Sequence, residues 1–190
     1  MRSRLFLIFT MILLASAYLL IVVPNCIRLH PDACLPSLDT PPTAPTVYRV
    51  LQPAIEHLIV PNATPLQLLW ADLIIQAAAV MLIVPLLDAW LRRWTNADRA
   101  LIGVLIFTAI YLVALHFYLR AISTTLEILS VVIALLLLDK RWGWFVPLVI
   151  LASLNRETSL LIVALFAVYH GRNGLKPAFV LLAIWGVITA

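Results

Sequence analysis

Apolar residues in this chain come in uninterrupted blocks of bilayer length, and that feature removes most of the folds open to a chain of its size. The runs Leu5 to Val23, Leu66 to Leu87 and Ala100 to Leu119 each approach the roughly 20 residues that a helix needs to cross about 30 Å of hydrocarbon. With 64% hydrophobic and 12% charged residues, the chain lacks the roughly 25% charge of a soluble domain. Its solvent is therefore lipid. The expected fold is all-α: a polytopic transmembrane bundle of about six to seven hydrophobic helices in a single domain spanning 1–190.

The N-terminus is basic and then apolar, like a secretory signal, but its apolar run exceeds a signal's hydrophobic region and continues past Ala15-Ser16-Ala17. It reads as an uncleaved first span over 1–23. Composition then changes, because Pro24 to Pro53 holds seven of the 12 prolines. Proline removes a backbone donor and clashes with the preceding turn, so this stretch belongs outside the hydrocarbon. Residues 24–65 are expected to form a loop with an interfacial helix, since Leu51, Ile55, Leu58 and Ile59 recur at helical spacing. Cys26 and Cys34 in that loop either close a small ring or remain two free thiols. Asn62-Ala63-Thr64 matches a glycosylation acceptor but is followed at once by Pro65.

The remaining spans occupy 66–190. A fourth apolar run, Leu126 to Leu138, is short and ends at Asp139-Lys140-Arg141. Trp142 to His170 is too long for one crossing and is interrupted by Asn155-Arg156-Glu157-Thr158. It is read either as one tilted helix that buries these charges or as two short helices meeting near one face. The second reading is preferred. A last apolar run begins near Pro177 and is still in progress at Ala190, which reads as the truncated end of a longer protein.

With two short helices, the basic residues sort by side. Arg2, Arg4, Arg92, Arg93, Arg99, Lys140, Arg141, Arg172 and Lys176 fall on one face, while Arg28, Arg49, Arg120 and Arg156 fall on the other. Nine of the 13 therefore mark the cytoplasmic side, with the N-terminus cytoplasmic and the Pro-rich loop outward. Trp90, Trp94, Trp142 and Trp144 cluster at the same interface, where amphipathic rings prefer to sit. The net charge of +4 thus reflects orientation in a cell membrane, and no basic stripe with interleaved aromatics points to nucleic acid.

The outward side collects Asp32, Asp39, Tyr48, Arg49, Arg120, Glu127, Asn155, Arg156 and Glu157. Charge near hydrocarbon is expensive and ordinarily faces a polar cavity or a partner. Adjacent residues on a helix point about 100° apart, so Arg156 and Glu157 need separate partners. Glu127 is available to Arg156, and Arg120 or Arg49 to Glu157. A plain alternative is a solvated rim with internal ion pairs. As a site, three arginines suit a phosphate group, because guanidinium is always charged and offers a planar fork of donors. Asp32 or Asp39 would deprotonate an attacking hydroxyl or hold a divalent cation. Inside the spans, Asp72 and Gln76 share a face of the second helix and His116 lies near the outer end of the third; Asp72, within about two turns of the outer interface, reads as hydrated, and interhelical hydrogen bonding accounts for the others. No spacing in the chain marks a metal site.

This arrangement resembles the GT-C class of polytopic glycosyltransferases and related bacterial membrane proteins. The resemblance rests on the first span, the long outward loop with acidic residues, the Asp39…Tyr48-Arg49-Val50-Leu51-Gln52-Pro53 segment, the interfacial helix and the Asn155-Arg156-Glu157-Thr158 junction. It implies transfer of a sugar from a polyprenyl-phosphate donor at the outward face, with Asp39 or Asp32 as catalytic base. Tyr48, Arg49, Arg120, Glu127, Asn155, Arg156 and Glu157 would then surround the donor. The paired acidic motif common in that class is absent here, since Asp32 and Asp39 stand apart. The competing expectation is a non-enzymatic transporter part or assembly subunit with structural Arg/Glu pairs.

Overall fold

A computed structural model of the chain describes residues 6–17, 20, 58, 64–117, 124–155 and 159–189. Among the described residues every regular element is helical: α1 (Phe6–Ala17), α2 (Pro65–Leu91), α3 (Ala97–Phe117), α4 (Thr124–Leu137), α5 (Phe145–Asn155), α6 (Leu160–His170) and α7 (Leu175–Thr189). Short 3-10 turns, Trp142–Trp144 and Gly171–Gly174, precede α5 and α7. The expected all-α class is thus observed. Except for Leu58, the Pro-rich loop and the interfacial segment lie outside the described residues, as does the question of how Cys26 and Cys34 pair. The described residues form two compact units, one up to Thr125 and one from Leu126 onward.

In the first unit, α2 starts one residue earlier and ends four residues later than the apolar run from Leu66 to Leu87. Its start is fixed by a capping box. Thr64 Oγ1 accepts from the Gln67 backbone N–H at 3.4 Å, and Gln67 Oε1 accepts from the Thr64 N–H at 2.8 Å, so two backbone donors are satisfied reciprocally. Pro65 follows at the first helical position, where its missing N–H costs nothing. The hydroxyl in the apparent glycosylation motif is therefore used as a helix cap. At the other end Arg92 Nε donates to Asp88 Oδ2 at 2.6 Å, four residues apart along the helix. Among the described residues, one stretch, Leu73–Leu91 in α2, is long and apolar enough to cross a membrane.

α3 follows after a tight turn. A Cβ at Gly103 would stand 2.8 Å from Leu91 Cδ1, so α2 and α3 approach closely where this glycine lacks a side chain. Near the far end of α3, the Tyr111 and Thr125 hydroxyls meet at 2.8 Å. Hydroxyls inside the helices are satisfied by their own backbone: Thr10 donates to Phe6 O at 2.9 Å and Thr108 to Val104 O at 2.8 Å. Such back-bonding leaves no hydroxyl proton to be solvated.

The second unit is built from shorter helices. α4 has 14 residues, α5 and α6 have 11 each, and α7 has 15. The sequence left 142–170 open between one helix and two, and the structure divides it into α5 and α6. Their core joins Ala134 and Leu138 of the α4 end, Phe145, Leu148, Val149 and Ala152 of α5, Ile162, Val163 and Phe166 of α6, and Ala178 and Leu181 of α7. The Phe145 and Phe166 rings meet edge to face with centroids 4.7 Å apart, a favoured arrangement for aromatic quadrupoles.

Candidate functional site

The direction of α5 against α6 follows from two contacts. Phe145, at the start of α5, meets Phe166 near the end of α6, while Ser153 near the end of α5 lies 3.2 Å, hydroxyl to hydroxyl, from Ser159 at the start of α6. The helices are therefore antiparallel, a hairpin with an aromatic base and a polar tip. Ser153 Oγ also lies 2.6 Å from Val149 O, to which it donates. A serine hydroxyl has a single proton, so Ser159 donates to Ser153. Ser153, Asn155 and Ser159 are 1%, 1% and 3% exposed, so this polar set is enclosed by protein.

The opposite end of the hairpin is closed by a second polar contact, in which the Tyr169 hydroxyl donates to Asp139 Oδ1. This contact places the turn after α4 beside the turn after α6. Lys140, Arg141, Trp142 and Trp144 from the first turn, and Arg172 and Lys176 around the second, are all exposed there. The turn after α6 is tight: Gly171 has φ +55°, and a Cβ at Gly174 would lie 2.5 Å from His170 Cβ. The His170 ring packs on Phe166 and Tyr169 with centroids at 4.4 and 5.1 Å.

Of the residues expected at the site, Glu127 and Asn155 fall within the described set. Glu127 occupies the first turn of α4, half-buried, and Asn155 ends α5, buried. Both have interaction partners. Each stands roughly 15 Å along its helix from the basic turns, at 1.5 Å per residue. Asp32, Asp39, Tyr48, Arg49, Arg120, Arg156 and Glu157 lie outside the described residues. Gln76 is buried on α2; Asp72 falls on α2 and His116 on α3. The Ser153–Ser159 clasp and the Tyr169–Asp139 link were not anticipated, since isolated serines and a tyrosine carry no motif.

The chain matches no protein family, no characterised protein and no solved structure.

Proposed function

We propose that the chain is part of a multi-pass membrane protein, N-terminus cytoplasmic, whose outward face handles a lipid-linked sugar phosphate as a glycosyltransferase. The observation that carries the membrane part is the exterior of the helices. Ile74, Leu82, Ile102, Ile106, Leu161 and Val187 are all more than half exposed, and apolar residues surround the helices instead of forming one stripe, as lipid-facing helices require. The back-bonded hydroxyls fit the same solvent. The orientation is supported by the shared position of the turns after α4 and α6, which carry Lys140, Arg141, Arg172 and Lys176.

The transferase part rests on the sequence pattern: Arg49, Arg120 and Arg156 for the donor phosphate, Asp39 or Asp32 as base, and Glu127, Asn155, Glu157 and Tyr48 around them. A base would accept the proton of the acceptor hydroxyl while the guanidinium groups offset the charge left on the departing phosphate. The second reading, a non-enzymatic subunit with structural pairs, is favoured by Asp88–Arg92, an ion pair that closes the end of α2, and by Asp139–Tyr169, where a carboxylate ties the turn after α4 to α6.

Arg156 separates the two readings. In the transferase reading, Arg156→Lys keeps the charge but loses the planar fork. The purified full chain in nanodiscs should then retain its melting temperature and bind a polyprenyl-phosphate sugar more weakly. In the structural reading, Arg156→Ala loses about 3–5 kcal/mol of stability, as expected when one member of a buried pair is removed. A paired change at Glu127 or Glu157 restores it, and binding stays unaltered throughout.

A further inference from the structure

The hairpin has a definite length. α5 and α6 have 11 residues each, so each extends roughly 16 Å at 1.5 Å per residue, about half of a ~30 Å hydrocarbon core. Because the helices are antiparallel, their lengths do not add. One end of the hairpin base adjoins exposed basic and tryptophan residues, Arg141, Trp142 and Trp144 before α5, and the other adjoins exposed basic residues, Arg172 and Lys176 after α6. Such residues belong at the headgroup level.

From this we infer that α5 and α6 form a re-entrant hairpin. It enters the membrane from the face carrying the basic turns, reverses near mid-depth and returns to the same face. This inference rests on the multi-pass membrane reading and adds the depth of the proposed site to it. Helix ends within hydrocarbon leave carbonyls and N–H groups without intrahelical partners, and such backbone is tolerated only where protein or a water-filled cavity covers it. The enclosed set of Ser153, Asn155 and Ser159 meets that requirement at the reversal. It forms a polar floor at mid-depth, to which the donor phosphate would descend from the outward face. Outward residues such as Leu151 and Leu161, 50% and 62% exposed, then face lipid tails near the bilayer centre.

The test is spin-label depth measurement on the full chain in nanodiscs, with Cys26 and Cys34 replaced by serine. One label at a time is placed through Leu161→Cys, Leu151→Cys or Asn173→Cys, and collisions are compared between oxygen, which partitions into lipid, and a water-soluble nickel chelate. A re-entrant hairpin puts the labels at Leu161 and Leu151 in the oxygen-rich, nickel-poor centre and the label at Asn173 at the nickel-accessible surface. If the labels at Leu161 and Leu151 read as headgroup level on the face opposite Asn173, the helices cross completely and the hairpin inference is wrong. If all three labels are freely nickel-accessible, the membrane reading itself fails. Leu151 and Leu161 lie on different helices, so one misfolded variant does not remove the test.

Discussion

The two units reach the same apolar exterior by different means. In the first, α2 with 27 residues and α3 with 21 are roughly 40 and 31 Å long, and α2 carries the stretch Leu73–Leu91 that is long and apolar enough to cross a membrane. In the second, no helix from α4 to α7 exceeds 15 residues, and the helices are bound around an aromatic core with a polar clasp at one end and a polar link at the other. Length makes the first unit tolerant, because each helix satisfies its own backbone over the whole path. The second unit depends on tertiary contacts to cover its helix ends, and this dependence is what can hold polar side chains inside an apolar structure.

That contrast is most exposed at Phe166. Removing its ring by Phe166→Ala should cost about 3–5 kcal/mol, the usual loss for a buried aromatic, read as a large drop in the thermal unfolding midpoint in detergent. Gly174→Ala should come next, at about 1–3 kcal/mol, because the new Cβ meets His170 Cβ at 2.5 Å and neither atom is the end of a flexible side chain. Ser153→Ala removes the acceptor for Ser159 and should cost about 1 kcal/mol. Restoration of most of this loss in the Ser153→Ala, Ser159→Ala double variant would mark the clasp as the cause. The smallest effect belongs to the first unit. Gly103→Ala displaces only the flexible tip of Leu91 and should change stability by less than about 1 kcal/mol. A loss at Gly103 equal to that at Phe166 would break the comparison.

Much of this architecture could be read from the chain, for physical reasons that differ by region. Apolar runs located α2, α3, α4 and α7 to within a few residues, since each helix extends about as far as its apolar sequence does and stops where charge and turn residues begin. The charged Asn155-Arg156-Glu157-Thr158 interruption marked the break between α5 and α6. Thr64-Pro65-Leu66-Gln67 also carried a legible signal, the threonine and glutamine spacing of a capping box, which the overlapping glycosylation motif obscured. The hairpin's direction was implied when the two-helix reading set both basic turns on one face, but the contacts that hold it were not legible, because Phe145 meets Phe166 and Ser153 meets Ser159 only across the fold. Of the candidate site, Glu127 and Asn155 were found on helix ends remote from the basic turns. The arginines and loop carboxylates that define its chemistry lie outside the described residues.

The central claim is that the basic turns occupy one membrane face and the Pro-rich loop the other. It is tested most directly by labelling single cysteines in intact cells with an impermeant thiol reagent, after Cys26 and Cys34 are replaced by serine. Gly143→Cys and Asn173→Cys sit at exposed positions in the two turns of the second unit and leave every basic residue in place; Thr43→Cys reports on the loop. The account predicts that Thr43→Cys reacts from outside, whereas Gly143→Cys and Asn173→Cys react only after permeabilisation. Labelling of Gly143→Cys and Asn173→Cys from opposite sides, or of Thr43→Cys from the cytoplasmic side alone, would contradict it.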